Sequence, residues 1–329
     1  MSMTSGGRST AHVAMAPTTA SLRSATELLG DGDAMRARFR EDGYLLFRGL
    51  LDTAPLDALR ADILRTVAAR GWTEEGSDPL EAIPSRPSRW HMGEGWRGGY
   101  IAIQKLESFH RQAFAPEALS MLASLYDIGV DDVLPHGQRI ARVIWPEHTL
   151  TTPPHQDFTH IQGTPDFVTT WVPLSDCPQE LGGLRLLVGS HTSGVRSMHL
   201  AAGAGGIGSD VDIDDPAWAT TDWKRGDIVV FHSLVVHSGM PNRSGQLRLS
   251  CDYRYQSVHD PIAVSSLRPH NCPYVPDWPE LLSDVEWETK RWAEHPDVVI
   301  GTFTMPDPKS LETWHESLPV PPSRFLQPA

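Results

Sequence analysis

The chain has 329 residues, 40% hydrophobic and 21% charged, with a formal net charge of -13 at neutral pH. This is the composition of a folded globular protein with a sizeable core, and its charge argues against broad attraction to nucleic acid or to an anionic membrane surface. A small molecule is the expected partner, and three cysteines without CxxC spacing, Cys177, Cys251 and Cys272, signal neither a disulfide framework nor a cysteine zinc site, which fits a reducing cytoplasm.

Residues 1–30 are rich in Ser, Thr, Ala and Gly, contain no apolar run of secretory or membrane-spanning length, and read as a disordered tail. No composition break follows, so residues 31–329 are expected to form a single domain. The stretch GDGDAMRARFREDGYLLFRGLLD predicts an amphipathic helix ending at Gly43 and then a strand from Tyr44 to Phe47. A second helix is predicted over about 54–70, where Leu56, Leu59, Ile63 and Val67 recur at helical spacing before Gly71. Residues 74–99 read as a long loop, and a further helix is expected over about 114–127.

Beyond it the pattern changes to short apolar or alternating runs at 138–145, 155–161, 166–174, 184–188, 227–232 and 246–256, separated by Gly, Pro and Asp turns. Such a succession predicts a mainly β fold with flanking helices, a sandwich or jelly roll whose core covers about 98–256. The polar, glycine-rich residues 201–223 read as a lid or binding loop. Asp210, Asp212 and Asp214 within it imitate the start of a calcium loop but lack the glycine and glutamate such a loop needs, so a solvated acidic loop is expected. Residues 273–329 form a C-terminal extension in which DWPELLSDVEWETKRWAEH predicts an amphipathic helix.

The chemistry concentrates in PPHQDFTH. On a strand, His155 and Asp157 would face one way and present an imidazole and a carboxylate to one point. His237, after the apolar run that follows Gly226 and Asp227, supplies a third ligand. Two histidines and a carboxylate leave half of an octahedron open, as in non-haem Fe(II) oxygenases. Arg248 and Ser250 follow at strand spacing, and together they suit the distal carboxylate of 2-oxoglutarate. Two other readings remain: a non-catalytic cupin-type metal-binding protein, which has no use for such a carboxylate fork, and a zinc hydrolase, which needs neither 2-oxoglutarate nor dioxygen.

Four ordered blocks, FREDGYLLFRGLLD, PPHQD, TTWVPLSDCPQELGGLRLLVGSH and GDIVVFHSLVVHSGMPNRSGQLR, resemble the phytanoyl-CoA dioxygenase family of Fe(II)/2-oxoglutarate-dependent oxygenases over roughly residues 35–256. The resemblance implies a double-stranded β-helix core, His155, Asp157 and His237 as iron ligands, Arg248 as the 2-oxoglutarate anchor, and dioxygen as co-substrate. Val188 stands where the family usually has proline, and residues 74–105 and 201–223 match no known pattern, which leaves the substrate open. Because Asp157 fills the carboxylate position that related halogenases vacate for chloride, halogenation is disfavoured.

Trp171, Gln104 and Thr170 are further candidates for contact with the keto acid, and Arg142 for the keto acid or the substrate. His232, His160, His191 and Asn242 are read as structural: His232 faces away from His237, His160 ends a strand, and His191 and Asn242 serve turns. The scarcity of lysine and the eleven tryptophans favour a small organic metabolite, such as a terpenoid, polyketide or amino-acid derivative from a bacterial pathway, over an acyl-CoA thioester.

Overall fold

The computed structural model describes residues 20–86, 94–146, 151–286, 296–305 and 307–327. The chain enters the fold earlier than its composition suggests: β1 (Ala20–Ser21) pairs with Ala219 and Thr220, and Leu22 and Ala25 are buried. The expected tail therefore fails for residues 20–30, because two apolar side chains and one backbone pairing suffice to seat them, while residues 1–19 lie outside the described residues.

Helix α1 (Gly32–Asp42) is capped by the Asp31 side chain, which accepts from the Ala34 amide at 3.0 Å. It ends at Gly43, which adopts φ 80° in the left-handed region. A Cβ there would stand 2.5 Å from His191 Nδ1, so both the turn and the close approach require glycine. Strand β2 (Tyr44–Phe47) and helix α2 (Thr53–Ala68) follow as expected. The loop expected over 74–99 is cut short by α3 (Glu94–Ile103). Gly98 and Gly99 hide this helix from propensity arguments, yet Gly99 has a packing reason: a Cβ would fall 2.3 Å from the Trp72 ring. Helices α4 (Glu107–Arg111) and α5 (Pro116–Tyr126) complete the helical layer.

The strands are β3 (Val133–Pro135), β4 (Ile140–Ile144), β5 (Val168–Pro173), β6 (Leu184–Leu187), β7 (Met198–Leu200), β8 (Ile207–Ser209), β9 (Trp218–Thr220), β10 (Ile228–His232), β11 (His237–Gly239) and β12 (Arg248–Ser257). The larger sheet runs β2-β10-β5-β12-β3, and β12 also pairs with β4 beside β3. The smaller runs β1-β9-β6-β11, extended where His155 bridges to His237. This is a double-stranded β-helix. Along β12, Leu249, Cys251, Tyr253 and Tyr255 pack with α1, α2 and α5 in the main core. Arg248, Ser250, Asp252, Arg254 and Gln256 alternate with them and face the interior between the sheets.

Three further expectations are corrected. Residues 155–161 are not a strand: Asp157 is helical (φ -61°, ψ -31°) and opens the turn α6 (Phe158–Ile161), because the bridge to His237 occupies only His155. Residues 201–223 are not wholly a loop, since β8 pairs with β7 and β9 with β6. The helix predicted after Asp277 stops at Leu281 (α7, Trp278–Leu281), and its expected continuation over 287–295 lies outside the described residues.

Candidate active site

His155, Asp157 and His237 come together in the mouth between the sheets, with one ligand atom from each lying within 4.8 Å of the others. The two backbone pairings between His155 and His237, each 3.0 Å, set the imidazoles side by side with ring centroids 4.1 Å apart. His155 Nδ1 bonds the Pro153 carbonyl at 2.8 Å, and His237 Nδ1 bonds the Val235 carbonyl at 3.0 Å. A carbonyl only accepts, so both Nδ1 atoms carry their protons and each Nε2 keeps its lone pair. The two Nε2 atoms lie 3.6 and 3.9 Å from Asp157 Oδ1. Burial pushes His237 down to about 3, so its imidazole is neutral, as a metal ligand must be.

Asp157 is 1% exposed and firmly oriented. Arg254 donates to both its oxygens, Nε to Oδ2 and Nη2 to Oδ1, each at 3.1 Å, and Thr169 Oγ1 donates to Oδ2 at 2.5 Å. Burial works against the charged carboxylate, but the Arg254 guanidinium beside it holds its pKa well below the usual range. A neutral imidazole, two inward lone pairs and an anchored carboxylate fit a divalent cation.

Beside this cluster a narrow compartment is lined by Trp171, Leu184, Phe231, His237 and Arg248. Arg248 is 3% exposed and has no carboxylate partner among the described residues. Its Nη1 donates to Ser250 Oγ at 2.5 Å, its guanidinium lies 5.9 Å from the Trp171 ring centroid, and its Nε has no partner among the described residues. Burial pushes its pKa down to about 10. A buried cation with unused donors costs free energy unless an anion arrives, and the distal carboxylate of 2-oxoglutarate fits that need.

A larger cavity of about 460 Å³ also reaches His155 and Asp157, and is lined by α3, β4, α6 and the loops around Ala204, His270 and Phe303. Trp72, Trp96, Tyr100, Ile140, Ile161 and Phe303 give it an apolar wall. Arg142 lines both compartments, bonding Asp252 through Nε at 2.7 Å and Thr152 through Nη1 at 3.1 Å.

The structure thus brings together His155, Asp157, His237, Arg248, Ser250 and Trp171. Two expected contacts stand apart. Gln104 lines neither compartment, and its Nε2 donates to the Arg139 carbonyl at 3.2 Å. Thr170 points from the opposite face of β5 and bonds the Tyr253 carbonyl, whereas its neighbour Thr169 faces the site. His232, His191 and Asn242 are structural as expected, bonding Ser323, the Arg40 carbonyl and the carbonyls of Ile144 and Gln246. His160 instead lies on α6 against His155 and lines the large cavity. Arg254 and Thr169 were missed, although extending the Arg248, Ser250 alternation along β12 reaches Arg254.

The profile of the phytanoyl-CoA dioxygenase family matches residues 39–250. The 1-deoxypentalenic acid 11-beta-hydroxylase of Streptomyces arenae is 25% identical over 278 residues, covering 79% of this chain and 90% of that protein. A phytanoyl-CoA dioxygenase domain-containing protein 1 of Danio rerio is 26% identical, covering 68% and 88%. Among solved structures, the epimerase SnoN in complex with Fe3+, α-ketoglutarate and nogalamycin RO aligns with TM-score 0.53 at 19% identity, over 84% of this chain and 96% of that one. The apo form of the non-haem monooxygenase ThoJ aligns with TM-score 0.51 at 21% identity, over 69% and 79%. No described helix is long and apolar enough to cross a membrane.

Proposed function

The chain belongs to the phytanoyl-CoA dioxygenase family and is an Fe(II)/2-oxoglutarate-dependent oxygenase, and from that premise we propose that it hydroxylates a small organic metabolite of a bacterial biosynthetic pathway. In this reading His155, Asp157 and His237 hold the iron and Arg248 with Ser250 holds the distal carboxylate of 2-oxoglutarate. Bound together, iron, 2-oxoglutarate and dioxygen supply the oxidising power, with succinate and carbon dioxide as co-products.

The observation that carries the assignment is the placement of a buried, carboxylate-free Arg248 across a narrow compartment from the His-Asp-His cluster. The other residues orient and seal. Trp171 and Phe231 wall the compartment and keep water from it, Thr169 and Arg254 fix the carboxylate of Asp157, and the carbonyls of Pro153 and Val235 fix the imidazoles. The apolar cavity beyond suits the substrate's body. A hydroxylase of 1-deoxypentalenic acid among the relatives supports a metabolite substrate over an acyl-CoA thioester.

An anaerobic titration of the metal-free protein with Fe(II) and 2-oxoglutarate tests the assignment through the visible charge-transfer band of the chelate. The band is expected with the wild-type protein and at much higher 2-oxoglutarate concentration with Arg248→Ala. Iron binding without the band would overturn the proposal.

A further inference from the structure

The charges lining the two compartments do not cancel. Among the described residues, five side chains of fixed charge line them: Arg142, Arg248, Arg254, Asp157 and Asp252. Fe(II) and the 2-oxoglutarate dianion, which the proposed function places here, add no net charge, so one positive charge is left over whether or not they are bound. Its location follows from the pairing. Arg142 is held by Asp252 at 2.7 Å, and Arg248 receives the distal carboxylate of 2-oxoglutarate. Asp157 would share its charge with the metal. Arg254, whose partner Asp157 it would share with the metal, is therefore the cation left with only part of a counter-charge.

Arg254 is 4% exposed, lines the large cavity and bonds Asp157 through Nε and Nη2, leaving Nη1 buried with no partner among the described residues. Two more buried polar atoms without partners, Gln138 Oε1 and Ser265 Oγ, belong to residues lining the same cavity. Apolar side chains share the remaining wall with Arg142, Thr152, His155, His160, His270 and Asn271, and Trp96 stacks on Tyr100 there at 4.7 Å between ring centroids. A buried guanidinium with an unused donor and a counter-charge it would share with a metal, beside a broad apolar surface, favours an anionic ligand with an apolar body.

We propose that the substrate is a free carboxylic acid with a compact apolar body, and that its carboxylate is bound in the cavity by Arg254. This rests on the oxygenase reading and narrows its substrate class. A coenzyme A thioester of the same acid offers Arg254 only a neutral carbonyl oxygen and meets the charge less well.

The test is anaerobic calorimetry on the protein loaded with Fe(II) and 2-oxoglutarate. The probes are 1-adamantanecarboxylic, 1-naphthoic and dehydroabietic acids, each paired with its primary amide, plus the coenzyme A thioester of the tightest acid. At least one acid is expected to bind about tenfold or more tighter than its amide, the scale of a hydrogen bond to a charged group. Arg254→Lys should retain that preference and Arg254→Gln should bring it close to unity, with the charge-transfer band monitored in each variant because Arg254 also touches Asp157. If the band forms and no acid outbinds its amide, or if the thioester binds tighter than the acid, the inference fails while the oxygenase assignment stands. Survival of the preference in Arg254→Gln removes Arg254 as the anchor. Absence of the band from the wild-type protein overturns the oxygenase reading and this inference with it. The wild-type acid-to-amide comparison decides the matter even where a variant loses iron.

Discussion

The two compartments that meet at the His-Asp-His cluster are built from different material. The narrow one is walled largely by regular strands, with Trp171 on β5, Leu184 on β6, Phe231 on β10, His237 on β11 and Arg248 on β12. The large one draws its wall from α3, the Ala204 region, the loop around His270 and residues near Phe303, elements that lie mostly outside the sheets. Paired strands hold side chains to fixed positions, which a metal and a chelating keto acid require, whereas loops change without disturbing the sheets and are where specificity varies. Disruption of the first compartment should therefore abolish chemistry, and disruption of the second should redirect it.

The largest effect is expected at the ligands. His155→Ala or His237→Ala should bring substrate-independent succinate formation to background, and chelation of iron from the wild-type protein should do the same reversibly. Full activity in either variant would remove that residue from the ligand set. Next comes Arg248→Ala, expected to weaken 2-oxoglutarate binding roughly a hundredfold, because a buried charge-assisted pair is lost. Arg248→Lys should recover only part of this, since an ammonium cannot reproduce the fork. Thr169→Val removes one bond to Asp157 and should lower iron affinity about tenfold, as other losses behind a metal ligand do.

The same division explains what was legible in the sequence. HxD and the distal histidine could be read as a ligand set of two imidazoles and a carboxylate, Arg248 and Ser250 because a strand leaves short, regular spacings, and the residue alternation of β12 extends to Arg254 once it is followed far enough. The strand assumed for 155–161 was wrong, yet the ligands still converge, since the pairing of His155 with His237 and one helical turn at Asp157 achieve what alternation was expected to do. Thr170 stands among the expected contacts and Thr169 does not, because a buried polar residue on a strand does not reveal which face it occupies until the register is known. The large cavity was not legible. Trp72, Trp96, Ala204, His270 and Phe303 are far apart in the chain and share no period, and α3 was hidden by its own glycines.

A smaller effect, confined to the second compartment, should follow from Trp96→Ala. It removes the ring stacked on Tyr100 and should weaken the tightest acid probe about tenfold, the scale of losing one buried aromatic contact. The Fe(II)/2-oxoglutarate band should be unchanged. Loss of the band would mean that the two compartments are not separable.

The smallest effect concerns a histidine that serves neither compartment. His232 is fully buried, and burial, with His191 nearby, pushes its pKa down to about 3. Its Nδ1 accepts from the Leu234 amide at 3.1 Å, so Nε2 carries the proton and donates to Ser323 Oγ at 3.0 Å, which in turn donates to Asp166. The unfolded chain takes up a proton on this imidazole near pH 6.5, and the folded protein does not until about pH 3. Unfolding therefore binds a proton across that window, and this group costs the fold nothing above pH 6.5 but progressively more as the pH falls below it. Its share of the slope approaches about 1.4 kcal/mol per pH unit, whereas His232→Gln should be about 1 kcal/mol less stable at pH 7 and lose that share. Denaturant unfolding of both proteins between pH 7.5 and 5 checks this. Parallel stability curves would show that His232 does not remain neutral in the folded protein, while convergence toward low pH would confirm a barrel core that depends on an uncharged imidazole outside both compartments.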